Sequence, residues 1–255
     1  MTVNASYCQI ASFFIGVAKI VYMSAPVGQC DHCCVNDDAT DIQYKLYTRF
    51  NPDEFQLLPL GDLNALRNTQ FDNSIPTVIY LMGFSEATNG ASTTLLKNVY
   101  LTTGNYNFIA VDWSRLIVFP WYISAVRNTV YMGNRLAQFV RFLETAGVPA
   151  ATLHIIGFSL GAEAAGFAGK YLKARGIMVG RITDGCSHVR AWRLYAESVK
   201  NPTGFPATLC KDWKSANSRC SFQTHGYMGF AAGPPMTGKM YLETNEKPPF
   251  AKNGP

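Results

Sequence analysis

The sequence predicts an α/β fold, a mostly parallel sheet covered by helices on both faces. Two observations predict it. Short β-rich runs recur along the chain, Thr77–Leu81 (TVIYL), Asn107–Asp112 (NFIAVD) and Leu153–Ile156 (LHII), and strands apolar on both sides belong between two helical layers. Between these runs lie stretches with apolar residues at helical spacing or rich in Ala and Gly. Alternation of strand and helix implies right-handed βαβ crossovers.

In chain order, Met1–Gln9 contain no Lys or Arg, and Ile10–Val27 are apolar except for Lys19 and small polar groups. This reads as a signal peptide lacking the usual basic start, cleaved between Ala25 and Cys30. A membrane anchor is the rival reading, opposed by the cost of Lys19 in hydrocarbon. Residues 1–28 are therefore read as a signal or damaged signal/anchor, and 29–255 as one domain. Asp41–Phe50 alternate Ile42, Tyr44, Leu46 and Thr48, the pattern of a half-buried strand. Ile123–Leu143 carry Val126, Val130, Gly133, Leu136, Val140 and Leu143 at helical spacing. Leu160–Lys173 form a small-residue helix able to pack closely on a sheet. Met178–Thr183 read as a further strand, and the Pro-rich tail Lys247–Pro255 as loose.

Composition excludes several classes. Of 255 residues, 48% are hydrophobic and 15% charged, which is a globular composition rather than a disordered one. The 22 Lys and Arg exceed the 17 Asp and Glu without clustering; this fits a mild attraction to anionic lipid and no nucleic-acid partner. Of the seven cysteines, Cys210 and Cys220 enclose a short polar loop and read as a local disulfide of a secreted protein. Cys30, Cys33 and Cys34 lie beside His32, but no second ligand pair with zinc spacing follows, so no metal is expected.

The sharpest signal is Gly157-Phe158-Ser159-Leu160-Gly161, set between the strand LHII and the helix from Leu160. Such a turn lifts a serine hydroxyl out of the sheet, with glycines where a Cβ would clash. The helix start directs unpaired N–H groups and a positive dipole end at the same spot. Ser159 is the candidate nucleophile, the Leu160 N–H one oxyanion donor, and the Phe84 N–H, after the strand ending Leu81-Met82-Gly83, the second.

These segments resemble the pancreatic-lipase family of neutral lipases and A1-type phospholipases, in an insect-like version. The matching stretches are YLMGF (80–84), VDWS (111–114), LHIIGFSLGAEAAGFAGK (153–170), GRIT (180–183), CSHVRAWRLYAES (186–198), GFPATLC (204–210) and ETNEKPPFA (243–251). The resemblance implies an α/β-hydrolase catalytic domain, no cofactor, and a lipid ester substrate, triacylglycerol or phospholipid, met at an interface in the extracellular space. It places the catalytic base at His188, within Cys186-Ser187-His188-Val189-Arg190.

It also marks a gap. The family's acid lies in a Gly-Leu-Asp-Pro turn directly after Gly-Arg-Ile-Thr, followed by strands and a lid before the histidine. Here Thr183 is followed at once by Asp184-Gly185-Cys186. The chain therefore reads as internally deleted at 183–185, with Asp184, two residues early, as the substitute acid and Cys186 deprived of its family partner. The function expected is a secreted carboxylic-ester hydrolase with an impaired Ser-His mechanism. The alternative is a non-catalytic lipid-binding or carrier protein of the same ancestry. Oligomeric state is not legible.

Overall fold

The computed structural model describes residues 11–14, 20–23, 25–31, 33–185, 190–209, 226–234 and 236–252. The N-terminal elements are a hairpin of β1 (Ala11–Phe14) and β2 (Ile20–Met23), then the short helix α1 (Asp38–Asp41), β3 (Gln43–Tyr47), β4 (Gln56–Leu57) and α2 (Leu63–Arg67). The central series follows: β5 (Thr77–Leu81), α3 (Ala91–Thr103), β6 (Asn107–Asp112), α4 (Tyr122–Thr145), β7 (Leu153–Phe158), α5 (Leu160–Lys173) and β8 (Arg181–Gly185). Helix α6 (Ala191–Lys200) leads to a small sheet of β9 (Pro206–Leu209), β10 (Gly226–Tyr227) and β11 (Met240–Tyr241).

The main sheet runs β4-β3-β6-β5-β7-β8. β6, β5, β7 and β8 are mutually parallel, and β3 is antiparallel to both β6 and β4. All five residues of β5 are buried, as expected for a strand between two helical layers. On one face α4 and α5 pack together, with Tyr44 stacked on Phe139 of α4 at 3.6 Å between centroids. On the other, α3 and α6 pack together and Tyr100 of α3 meets Phe108 of β6. The largely buried ion pair Lys45–Asp112 (2.6 Å) ties β3 to β6, and Asp112 also accepts the Ser114 hydroxyl at 2.7 Å. This gives the Val-Asp-Trp-Ser stretch a structural role.

Several elements depart from the sequence reading. Asp41 ends α1 and Ile42 caps it, so the strand read over Asp41–Phe50 is β3, Gln43–Tyr47. The strand before the serine continues to Phe158. The strand read over Met178–Thr183 is β8, which starts only at Arg181; Gly180 is pressed against the Ala151 backbone and Met178 is solvent-exposed. Val126 and Val130 face solvent, while Ala125, Asn128, Thr129 and Met132 take the inward positions. Asn128 is buried because its amide donates to the carbonyls of Val27 and Leu116, both at 2.8 Å. The described part of the tail, as far as Lys252, is pinned rather than loose. The Phe250 and Ala251 amides each donate to the Glu197 carboxylate at 2.7 Å, and Phe250 buries against Phe205.

Near the N-terminus, Cys30 and Cys33 are joined in a disulfide, and Cys34 is disulfide-bonded as well. Among the described residues no helix is long and apolar enough to cross a membrane.

Candidate active site

Ser159 caps α5 at the end of β7 with φ 54° and ψ −122°. A positive φ is strained for a residue with a Cβ, costing about 1–3 kcal/mol, and such strain persists only where the surroundings over-determine it. Helix-capping serines usually bond an amide of the first turn; the Ser159 side chain makes no capping bond. It stands half-buried at the mouth of the turn.

The glycines on either side explain how the turn closes. A Cβ at Gly157 would lie 2.4 Å from Ala162 Cα, and one at Gly161 would lie 2.3 Å from the Leu81 carbonyl oxygen. The helix can therefore descend onto β7 and β5 only with both glycines in place. At the first position of α5, the Leu160 N–H has no acceptor within the helix.

The turn after β5 meets the same spot. A Cβ at Gly83 would stand 2.9 Å from the Ser159 Cβ. This turn is clamped from three sides: the Gly83 N–H donates to Glu86 (2.8 Å), the Ser85 N–H to the Ile117 carbonyl (2.8 Å), and the Trp113 indole to the Met82 carbonyl (3.2 Å). Glu86 is itself held by the Ser92 hydroxyl at 2.7 Å. Ser85 has φ 58°, so among the described residues the two non-glycine residues with positive φ, Ser85 and Ser159, belong to the two turns that meet here. Between the clamped amides lies Phe84, whose ring meets Tyr122 edge-on at 5.0 Å. Glu86 escaped the sequence reading; an acid three residues after a strand-ending glycine was its only signal.

The sequence model of the Lipase family matches residues 28–185 and, in a second segment, residues 176–250. The chain belongs to the Lipase family. Its mostly parallel sheet, with helices on both faces and a serine turn between β7 and α5, has the α/β-hydrolase arrangement. Pancreatic lipase-related protein 2 of Bos taurus is 35% identical over 145 residues, covering 56% of this chain and 30% of that protein. Phospholipase A1 member A of Rattus norvegicus is 32% identical over 143 residues, with the same two coverages. The chain thus spans about 30% of the length of these curated relatives. Among solved structures, an alpha/beta hydrolase enzyme from the metagenome of Lake Arreo, Spain, covers 71% of this chain and 46% of its own, at 14% identity and a TM-score of 0.33.

Of the residues singled out for this Lipase-family chemistry, Ser159, Leu160 and Phe84 are placed on the two turns just described. Asp184 is the penultimate residue of β8, and its backbone pairs in register with Gly157, two residues short of Ser159. His188, Cys186, Cys210 and Cys220 lie outside the described residues. His154 is no rival base. It sits five residues before Ser159 on β7, about 16 Å away at roughly 3.3 Å per residue. Burial, aided by the neighbouring Arg181 guanidinium, pushes its pKa down to about 3, and its Nε2 bonds the Thr183 hydroxyl at 2.9 Å. Among the described residues, no group of three or more His, Cys, Asp or Glu is placed to hold a metal ion.

Proposed function

We propose that the chain is a secreted carboxylic-ester hydrolase of lipase type, acting on triacylglycerol or phospholipid by acyl transfer at a reduced rate. The observation that carries this reading is Ser159, held at a positive φ with the Gly83 turn in contact. In the reaction, Ser159 Oγ bonds to the ester carbonyl carbon and the carbonyl π pair moves onto oxygen. The Leu160 and Phe84 N–H groups hold that oxyanion. His188 takes the serine proton and returns it to the departing alkoxide as the C–O bond breaks, and water then releases the acid by the same steps.

The reduced rate follows from the acid. A carboxylate must reach the histidine within hydrogen-bond distance to orient it. Asp184 stands at the level of Gly157, one strand over and roughly 6–7 Å back from the serine. We ascribe this to an excision at 183–185 that removed the family's acid turn and lid. The division of the family match into 28–185 and 176–250 supports that reading, as does the position of β8 at the edge of the sheet.

A lipid interface suits the surface beside the serine. Phe119 is 62% exposed and Ile123 68% exposed, and Tyr122, also exposed, touches Phe84. Phe119, Tyr122 and Ile123 are neighbours in sequence, and exposed apolar side chains of this kind suit contact with a lipid surface.

The test is hydrolysis of a p-nitrophenyl ester by the full chain beside Ser159→Ala and Asp184→Ala. The reading predicts measurable turnover that is lost in the serine variant and lowered in the aspartate variant. Equal rates for all three would overturn it. Saturable lipid binding without turnover would favour the carrier alternative.

A further inference from the structure

On the face of the sheet that carries α3 and α6 lies a cavity of about 570 Å³, within the roughly 300–1,000 Å³ range of small-molecule sites. Most of its wall is apolar: Leu96, Ile156, Phe158, Leu194, Met228 and Met236. Gly157 and Phe158, the two residues before Ser159, line it, but Ser159, Leu160 and Phe84 do not, so the cavity abuts the serine turn without containing its reactive groups.

One end is polar and cationic. Arg181 donates through Nε to the Thr183 hydroxyl (3.1 Å) and through its terminal nitrogens to the carbonyls of Phe230 and Gly229, both at 2.6 Å. All three acceptors are neutral, and a guanidinium carries five N–H donors. Among the described residues no carboxylate pairs with Arg181. A half-buried cation without a counter-charge is costly, and proteins ordinarily pair such groups. The nearby His154 is neutral and adds no second charge. Tyr80, from β5, also lines the wall, with its hydroxyl buried beside Ser92.

Arg181 is the sole Lys or Arg among the described lining residues, which matches a monoanion rather than a phosphate dianion. The register gives the length. Arg181 pairs with His154, and Phe158 stands four residues further along β7, about 13 Å away at roughly 3.3 Å per residue. A single cationic anchor at one end of an apolar trough fits an amphiphile with one negative head.

We infer that this cavity binds a long-chain monocarboxylic acid, with the carboxylate on Arg181, the carboxyl-side half of the alkyl chain lying along Ile156 towards Phe158 and the remainder in the rest of the cavity. Acids released at Ser159 belong to this class, but occupancy of the cavity requires no turnover.

The test titrates oleate, below its micellar concentration, into the full chain carrying Ser159→Ala, by calorimetry. The expected result is one saturable site, with oleyl alcohol binding at least about tenfold more weakly because it lacks the charge. Arg181→Gln should weaken oleate by a similar factor. Because Arg181 also holds two carbonyls, Met228→Trp serves as the second variant. Met228 is half-buried and lines the cavity, so the larger side chain narrows it and should weaken oleate at least about tenfold while leaving Arg181 in place. Absence of a saturable site, oleyl alcohol binding as tightly as oleate, or oleate binding unchanged in both Arg181→Gln and Met228→Trp would each overturn the inference. Binding in the Ser159→Ala background keeps this result separate from the fate of the hydrolase proposal.

Discussion

The Cβ of Ser159 lies 2.9 Å from the point where Gly83 would carry a Cβ of its own. Two turns from separate βα units therefore converge on one spot, and neither could approach so closely with a larger residue at position 83. The residues we propose as oxyanion donors and nucleophile thus come from elements whose relative position is set by the parallel pairing of β5 and β7, with Leu81 opposite Gly157.

The glycines of the elbow make the first prediction. Gly161→Ala places a methyl 2.3 Å from a carbonyl of β5 that cannot swing away. Overpacking of this kind costs about 3 kcal/mol. Gly166→Ala, on the same helix with nothing within 4 Å of its Cβ, should instead stabilise by about 0.5–1 kcal/mol. Urea unfolding of both variants gives the comparison, and equal midpoints would contradict the steric account of the elbow.

Glu86 offers a test of positioning. Its carboxylate holds the Gly83 amide and is held in turn by Ser92, so Glu86→Ala loosens the turn that carries the Phe84 N–H without touching substrate. On the proposed mechanism kcat falls about 10- to 100-fold, less than or comparable to loss of an oxyanion donor itself, with KM nearly unchanged. A variant whose whole loss lay in KM would show that the turn contributes to binding instead.

Stability should fall in mild acid because of His154. Its folded pKa is depressed to about 3, while the unfolded value is about 6.5. The unfolded chain therefore binds more protons throughout that window. The contribution is fully present above pH 6.5 and is lost as the pH falls towards 3. Between pH 8 and pH 5 this one group removes about 2 kcal/mol. His154→Gln should flatten the pH dependence of the thermal midpoint over that range. An unchanged slope in the variant would assign the acid sensitivity to other groups.

The limits of the sequence reading have specific causes. β5, β6 and α5 were legible to the residue because their apolar runs and small-residue content coincide with their packing. The elbow was legible because its glycines sit where backbone atoms nearly touch. Val126 and Val130 misled because periodicity counts apolar residues, whereas at that end of α4 the inward place goes to Asn128, bound to two carbonyls. Met178 looked like the start of a strand, but its side chain is exposed and the pairing begins after Gly180. The fastening of the tail by Glu197 depends on contacts more than fifty residues apart, which no local pattern reveals. Glu86 was missed for a related reason: its role is visible only once its carboxylate is seen between Gly83 and Ser92.

The most direct measurement is fluorophosphonate labelling of the folded chain, with the modified residue mapped by mass spectrometry. A hydroxyl raised on a strained bend and backed by main-chain donors should form the phosphonyl adduct at Ser159, and Ser159→Ala should take up none. A folded wild-type chain left unmodified, or one modified elsewhere with equal yield in Ser159→Ala, would contradict the account.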